Sequence, residues 1–207
     1  MNKNHVLHNI RQSVVSTVVL MIICGLIFPL VLSGLGGLIF PHQAGGSLVK
    51  VDGKVVGSEH IGQQFTESYF MKGRPSAINY NTYDTKKEAE AAGPSSGSAN
   101  MAPSNPDLVA RVEADMDAFL AANPDVKKED IPTDLLTASG SGLDPEISPA
   151  SAEVQIPAIA KAAGLTEEQI RGFVDDNTKG KLLGIFGEET VNVLGVNLEI
   201  AKAMELI

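Results

Sequence analysis

The sequence predicts a single N-terminal transmembrane helix followed by one α+β extracytoplasmic domain. Between Val14 and Ile39 no residue is charged, and sixteen of the 26 positions are Val, Ile, Leu or Phe. A helix of this length is roughly 39 Å long and exceeds a bilayer core of about 30 Å. The rest of the 207 residues suffices for one domain. We expect a cytoplasmic N-terminus at 1–12, a transmembrane helix at 13–40 and a soluble α+β domain at 41–207.

The charge distribution predicts the orientation and excludes one class of partner. Lys3 and Arg11 precede the apolar stretch and no acidic residue does, so the N-terminal flank stays in the cytoplasm and the domain lies outside. Subtracting these two from the 16 basic residues leaves 14 against 25 acidic residues, a net charge of −11. Such a domain repels nucleic acid. A cleaved signal peptide is the alternative, but no small-x-small site occurs between Phe40 and Ala44.

Small residues and a proline distinguish the second half of the predicted span. Pro29 removes a backbone donor and should kink the helix. Ser33 and Gly37 lie four residues apart on one face, where a second helix backbone can approach closely in lipid. A flexible helix end is the other interpretation of this pair.

Local patterns predict the first elements of the domain. Leu48–Val56 alternates around an Asp52-Gly53 turn, which is typical of a hairpin. The stretch Thr85–Ala92 favours a short helix. A longer helix begins after Asn105, a suitable cap, and ends at Asn123-Pro124.

The C-terminal part continues the mixed pattern. A loop over Ile131–Pro149 leads into a helix that runs toward Gly164 and is interrupted by Pro157. Thr166 and Gln169 form a capping box for the next helix. We further expect a strand at Val191–Leu194 and a last helix capped by Asn197, which gives a domain with few strands and about four helices.

No self-sufficient catalytic or metal site is predicted. Gly93-Pro94-Ser95-Ser96-Gly97 matches the pattern of a hydrolase nucleophile elbow, but that motif needs a preceding strand and a helix-like run precedes it here. The four histidines show no ligand spacing with one another or with Cys24. The Ser/Gly loop at 139–142 lacks the lysine of a phosphate-binding loop; its amides either line an interface or connect two elements.

This loop opens the most specific stretch of the sequence. It reads Ser139-Gly140-Ser141-Gly142-Leu143-Asp144-Pro145-Glu146-Ile147-Ser148-Pro149 and is followed by Gln155. The stretch resembles the signature of the C subunit of the Kdp potassium-transporting ATPases. Further pieces agree in order over nearly the whole chain: Phe70, Gly73-Arg74-Pro75-Ser76, Pro103-Ser104-Asn105-Pro106, Gly187-Glu188, Val191-Asn192-Val193-Leu194 and Asn197-Leu198. Glu146 departs from the family's usual histidine, Ala158 from its arginine, and Met101-Ala102 from Leu-Gly.

The resemblance implies an accessory subunit of a bacterial inner-membrane complex. Its partners would be a channel-like potassium-translocating subunit, a P-type ATPase subunit and a small helical subunit, within membrane lipid. The chain has Asp84-Thr85-Lys86 and not the Asp-Lys-Thr-Gly phosphorylation loop of P-type ATPases, so hydrolysis would occur on another chain. No tightly bound cofactor is implied.

The family is also described as a catalytic chaperone that raises the affinity of the ATPase subunit for ATP. In that account Gln155 would contact nucleotide together with Ser139, Gly140, Ser141 and Gly142; the alternative is that Gln155 is an exposed residue of a helix surface. A domain held outside by Lys3 and Arg11 cannot meet cytoplasmic ATP, so any coupling would pass through the span.

Two functional hypotheses follow. The first is a non-catalytic transport subunit whose acidic domain also attracts cations to the external ion entrance. The second is a membrane-anchored extracytoplasmic enzyme or ligand-binding module, in which Ser95 would be the residue to test.

Overall fold

The computed structural model describes residues 3–207, with side chains from residue 7 onward. Residues up to Leu48 and residues Val49–Ile207 form two compact units. We call the second unit the C-terminal domain.

The first unit is dominated by a long apolar helix. Helix α1 spans Lys3–Ile22, a π-helical turn spans Ile23–Ile27, and α2 spans Phe28–Ile39; a short α3 spans Pro41–Ala44. Within the described part of the chain, Leu7–Ile39 is the helix long and apolar enough to cross a membrane, and none of its most apolar window is buried. An apolar helix with no protein covering suits lipid. The predicted apolar helix is present and is long and apolar enough to cross a membrane. That it does so, and its boundaries 13–40, stay predictions.

The kink predicted at Pro29 stays a prediction, and the structure has a π-helical turn just before this proline. Proline has no N–H to donate to the carbonyl four residues earlier, which is that of Gly25. Gly25 lies within the turn at Ile23–Ile27, which widens the helix immediately before Pro29. The backbone then resumes α-helical geometry in α2.

The predicted hairpin is present. Strand β1 covers Leu48–Val51 and β2 covers Lys54–Ser58, and the two are paired. Asp52 and Gly53 have φ of 50° and 78°, the left-handed values that a tight two-residue hairpin turn requires at both positions.

Both predicted helices of the middle region form, and the longer one has its predicted cap. Helix α4 spans Lys86–Ala92, and the Thr85 side chain accepts a hydrogen bond at its start. Helix α5 spans Pro106–Ala122, and Asn105 Oδ1 accepts from the Asp107 N–H at 2.8 Å. Short 3₁₀ turns occupy parts of the flanking loops, at Asn79–Asn81, Lys128–Asp130 and Thr133–Leu135.

The helix interrupted by Pro157 is two helices. Helix α6 spans Pro149–Glu153 and α7 spans Ile156–Ala163, which ends at Gly164 in a left-handed conformation. Helix α8 spans Glu167–Asp176, and both hydrogen bonds of its predicted capping box are made.

A small antiparallel sheet forms the centre of the C-terminal domain. Strand β3 covers Glu146–Ile147, β4 covers Thr178–Lys179 and β5 covers Thr190–Asn192, in the order β3-β5-β4. Val191 of β5 is opposite Ile147 on one side and Thr178 on the other. The last helix, α9, spans Val193–Ala203 directly after β5.

The prediction that Asn197 caps the last helix is wrong. The cap is Asn192, whose side chain accepts from the Gly195 N–H at 2.9 Å. The helix therefore begins at Val193, and the expected strand at Val191–Leu194 ends two residues early. The described part of the domain has six α-helices, α4 to α9, and not about four. One of the additional helices arises because the break before Pro157 divides a single predicted helix into α6 and α7.

One hydrophobic cluster holds the domain together. Helices α6 to α9 and the sheet both contribute side chains to it, and a residue from an irregular segment, Met71, completes the cluster with no exposed surface. Its buried members are Met71, Ile147, Ala152, Ile156, Ile159, Ala160, Ile170, Val174, Val191, Val193, Val196 and Ile200.

Candidate functional site

The Ser/Gly loop at 139–142 is bound to the rest of the domain through its own ends. Ser139 and Gly142 are buried, whereas Gly140 and Ser141 are exposed. The Ser139 N–H donates to the Pro75 carbonyl at 3.1 Å, and the Gly142 N–H donates to Ser139 Oγ at 2.8 Å. The first bond attaches the loop to the segment at 75, and the second closes the loop on itself.

Carbonyls of the same loop and of Leu143, the residue after it, accept hydrogen bonds from three distant segments. Ser76 Oγ donates to the Gly142 carbonyl at 2.7 Å, and the Gly97 N–H donates to the Ser141 carbonyl at 2.7 Å. The Gly62 N–H donates to the Leu143 carbonyl at 2.8 Å. These segments lack regular secondary structure, so the loop supplies hydrogen-bond partners that their backbones would otherwise not have.

Glycine is required at one end of the loop and not at its tip. Gly142 has φ of 68°, and a Cβ there would lie 2.6 Å from Ile78 Cγ1 and 2.9 Å from the Gly97 carbonyl oxygen. At Gly140 no atom lies within 4 Å of the corresponding position. Only Gly142 combines a left-handed backbone with close approach.

An ion pair brings together two of the sequence pieces that carried the resemblance. Arg74 Nη1 lies 2.9 Å from Asp144 Oδ2, with about a quarter of each side chain exposed, at 26% and 27%. Asp144 Oδ1 also accepts from the Glu146 N–H at 3.1 Å, at the start of β3. The Gly-Arg-Pro-Ser piece and the Ser-Gly-Leu-Asp-Pro piece are thus neighbours in space.

A left-handed turn packs beside this ion pair. Asn79, Tyr80 and Asn81 have φ between 49° and 55°, and Ser76 Oγ accepts from the Tyr80 N–H at 3.0 Å. The Tyr80 hydroxyl donates to the Arg74 carbonyl at 2.6 Å. Burial, followed by the neighbouring Asp144 carboxylate, raises the pKa of Tyr80 to about 12, against a smaller opposite effect of Arg74. The hydroxyl therefore stays a donor at neutral pH.

A second polar cluster secures the start of α6. Asp134 Oδ2 accepts from the Ser148 N–H at 2.8 Å, and Asp134 Oδ1 accepts from the hydroxyls of Ser148 at 3.1 Å and Ser151 at 2.5 Å. Burial opposes ionisation of this carboxyl, but the hydrogen bonds from Ser148 and Ser151 outweigh it and lower the pKa of Asp134.

Two buried amide side chains hold the segment at 71–72. Asn197 accepts from the Met71 N–H at 2.7 Å and donates to the Met71 carbonyl at 2.9 Å. Gln155 accepts from the Lys72 N–H at 2.8 Å and donates to the Lys72 carbonyl at 3.2 Å and to the Ser151 carbonyl at 2.9 Å. We call this arrangement the amide clamp.

The expectation that Gln155 is an exposed helix residue is wrong. Its exposed fraction is 2%, because it lies at the α6–α7 junction facing the core. Its amide oxygen and nitrogen are both used within the domain. A nucleotide contact by Gln155 stays a prediction, and it would require one of these bonds to open.

Ser95 lies in a loop and not at a nucleophile elbow. Helix α4 precedes it, where the motif requires a strand. The Ser95 hydroxyl donates to Asn81 Oδ1 at 2.9 Å, so its partner is an amide and not a base. In the described part of the chain, no group of three or more His, Cys, Asp or Glu residues is placed to hold a metal ion.

The small residues of the membrane-crossing helix present an open surface. Ser33 is exposed in α2, and a Cβ at Gly37 would meet no atom within 4 Å. Close approach of a second helix at Ser33 and Gly37 is therefore sterically free, and its occurrence stays a prediction.

Acidic side chains dominate one cleft of the domain. The cleft has a volume of about 470 Å³ and includes Arg74 together with several carboxylates. These carboxylates belong to Asp134, Asp144, Glu146, Glu188 and Glu189.

Sequence reasoning missed most of these contacts for identifiable reasons. Arg74 and Asp144 belong to the quoted pieces, but their pairing requires the fold. Asn197 was interpreted as a cap, since Asn before an apolar run is a common cap. Asp134 belongs to no motif. The only sequence feature related to its role is the Ser148-Pro149 helix start, to which it binds.

These features define a class of protein: a candidate single-span membrane protein whose α+β domain uses its polar clusters to organise loops. Residues 10–202 match the family model described as KdpC, the c chain of the K+-transporting ATPase. The chain therefore belongs to the KdpC family.

Relatives of high identity agree with this assignment. A protein named potassium-transporting ATPase KdpC subunit from Clostridium kluyveri is 59% identical over 199 residues, 95% of each chain. Its namesake from Clostridioides difficile is 53% identical over 205 residues, 96% of this chain and 99% of the relative. One from Caldanaerobacter subterraneus is 45% identical over 196 residues, 95% of this chain and 96% of the relative. The resemblance noted in the sequence is confirmed.

The amide clamp predicts large stability losses at two positions. Replacing Asn197 or Gln155 with Ala leaves buried N–H and C=O groups of Met71 or Lys72 unpaired, which should lower the free energy of unfolding by about 2–4 kcal/mol. Gln64→Ala, at an exposed amide, is the matched control and should be neutral. Thermal unfolding of the full chain in detergent, followed by circular dichroism, measures the difference. Equal melting temperatures for all three variants would contradict the clamp.

The Ser/Gly loop offers a matched pair of glycine substitutions. Gly142→Ala should destabilise the domain by about 1–3 kcal/mol through backbone strain and the contact with Ile78. Gly140→Ala should leave stability within about 0.5 kcal/mol of wild type. Urea unfolding of both variants measures the contrast, and a Gly140→Ala loss as large as that at Gly142 would refute this account of the loop.

Asp134 predicts a specific dependence on pH. Because its pKa is lowered in the folded protein, its contribution is fully present above the ordinary Asp pKa and is lost as the pH falls through the folded pKa. Asp134→Asn should therefore melt at a lower temperature than wild type at pH 7, and the gap should narrow below about pH 4. Asp117→Asn, at an exposed position in α5, is the control. A gap that stays constant from pH 7 to pH 3 would disprove the linkage.

Proposed function

We propose that this chain is a non-catalytic accessory subunit of a high-affinity, ATP-driven potassium uptake complex in the bacterial inner membrane. Membership of the KdpC family supports this proposal. The observation that carries the non-catalytic part is the use of the signature residues: Ser139, Gly142, Asp144 and Gln155 bind other parts of the domain. Hydrolysis takes place on the P-type ATPase subunit, whose Asp-Lys-Thr-Gly loop this chain lacks.

The proposed orientation places the N-terminus in the cytoplasm and the C-terminal domain outside. Lys3 and Arg11 support it, since both precede the apolar helix and no acidic residue does. Within the membrane, α2 packs through Ser33 and Gly37 against a helix of the channel-like potassium-translocating subunit or of the small helical subunit. The open surface at Gly37 supports that contact.

The subunit raises the ATP affinity of the ATPase subunit by favouring one conformational state of the complex. An external domain has no access to cytoplasmic ATP, so the effect is a difference in binding free energy between two states, transmitted through the span. This route requires no nucleotide contact by Gln155 or by the Ser/Gly loop at 139–142. The internal hydrogen bonds of both support it.

The acidic cleft concentrates cations near the external ion entrance. Five carboxylates and one guanidinium line it, and the chain after Arg11 has a net charge of −11. A negative field of this kind raises the local cation concentration and is screened by salt.

Co-purification tests the subunit assignment. With an affinity tag on this chain and its partner genes co-expressed, a much larger P-type ATPase should elute with it, with potassium-stimulated ATP hydrolysis. With the tag on the ATPase subunit instead, omission of this chain should reduce the amount of the other subunits that elute together. A photoreactive ATP analogue should label the ATPase subunit and leave this chain unlabelled. Elution of the chain alone from that co-expression would refute the assignment.

The acidic cleft predicts a salt-dependent change in transport. The double variant Glu146→Gln and Glu189→Gln should raise the potassium concentration for half-maximal ATPase activity several-fold at about 10 mM ionic strength, where screening is weak. The difference should vanish near 0.5 M of a salt whose cation is not transported. Glu113→Gln with Asp117→Gln in α5 removes the same charge elsewhere and is the control. Identical potassium dependence in both pairs would exclude the cleft.

A further inference from the structure

Four large apolar side chains are exposed together on the connection between β4 and β5. The Leu182 N–H donates to the Phe186 carbonyl at 2.8 Å and the Phe186 N–H to the Leu182 carbonyl at 3.0 Å, which closes a tight turn. Leu182, Leu183, Ile185 and Phe186 have exposed fractions of 70%, 81%, 75% and 62%. We call residues 182–186 the apolar tip. Contiguous apolar surface of this kind in the water-facing part of a protein marks an interaction site.

The apolar tip has a defined shape. Leu183 has φ of 55°, followed by Gly184 at 73° and Gly187 at 82°. Asn, Asp and Gly adopt the left-handed conformation more readily than Leu, so an exposed leucine at this position is costly for folding. A preorganised turn suits a shaped pocket, because little conformational freedom is lost on binding.

The charges around the tip distinguish a protein partner from a lipid surface. Lys179 and Lys181 precede the tip and Glu188 and Glu189 follow it, and Lys181 Nζ lies 3.3 Å from a Glu188 carboxylate oxygen. An apolar centre with an aromatic residue and a rim of balanced charge is typical of protein interfaces. Attachment to an anionic bilayer requires an excess of basic residues, which this rim does not have.

We propose that the apolar tip docks into an apolar pocket, rimmed by charges of both signs, on another subunit of the same complex. The proposal rests on the proposed function, since it takes the chain to be one subunit of an assembly. It assigns the contact to residues 182–186 and identifies a surface of the C-terminal domain that stabilises the complex in addition to the contact in the membrane.

Leu183 provides a variant that separates docking from folding. Leu183→Asp places a charge in the docked tip, yet Asp accepts the left-handed backbone better than Leu, so the melting temperature of the isolated chain should be unchanged or higher. In the co-expressed complex, the amount of ATPase subunit retained should fall about tenfold or more. Leu183→Asn should cause a smaller loss. Val109→Asp, which charges an exposed valine of α5, should retain the wild-type amount.

The outcomes separate this proposal from the subunit assignment. If wild-type chain and Leu183→Asp retain the ATPase subunit equally, the docking proposal is overturned and the subunit assignment stands. If wild-type chain retains no ATPase subunit, the assignment itself fails. If detergent-purified wild-type chain dimerises alone and Leu183→Asp abolishes the dimer, the tip binds a second copy and the proposal is overturned.

A lipid target is tested with a single tryptophan. The chain contains no tryptophan, so Phe186→Trp reports on the tip alone. With the variant reconstituted in vesicles of phosphatidylethanolamine and phosphatidylglycerol, emission should be that of a water-exposed indole and brominated lipids should not quench it. A blue-shifted emission that brominated lipids quench would place the tip in the bilayer and overturn the proposal.

Discussion

A buried backbone segment without a neighbouring strand is the constraint on which the C-terminal domain depends. Met71 fills the core with no exposed surface, yet it belongs to no strand. Buried N–H and C=O groups need partners, and Asn197 and Gln155 supply them with the same donor and acceptor pattern that a strand would offer. Because Asn197 lies in α9 and Gln155 between α6 and α7, the clamp also fixes these helices relative to each other.

The residues that identify the family are largely those that organise loops. The sheet has only short strands, and long stretches such as 59–78 and 93–104 have no helix or strand, only turns and an isolated bridge at Ile61. Such stretches need side-chain and loop partners, which the Ser/Gly loop, the Arg74–Asp144 pair and Asp134 provide. A signature dense in Ser, Gly, Asp and Pro thus reflects the backbone requirements of a small domain with little sheet. A stretch rich in Ser, Gly, Asp and Pro is therefore not by itself an indication of a catalytic loop.

The sequence correctly predicted those features that depend on residues close to one another in the chain. The Asp52-Gly53 turn, the Asn105 cap, the Thr166–Gln169 capping box and the break at Pro157 each depend on residues within one turn of each other. The errors concern long-range partners. An amide gives no sign in sequence of the backbone that it meets across the fold, so the sequence predicts Asn197 as a cap and Gln155 as a nucleotide contact or, alternatively, as an exposed helix residue. The sequence resemblance identified the family, whereas the hydrogen bonds in the structure showed what these two side chains do within the domain.

The amide clamp joins residues that are far apart in the sequence, and this separation determines when folding of the domain can be completed. Met71 precedes Asn197 by 126 residues, and Lys72 precedes Gln155 by 83. Contacts between residues so far apart form late, because the intervening chain must be brought together before any of them contributes. During synthesis, the segment at 71–72 therefore cannot be buried in its final position before α9 has formed, and its backbone groups bind water until then. Because the core is incomplete without α9, we expect a chain that ends ahead of α9 to stay open to proteases.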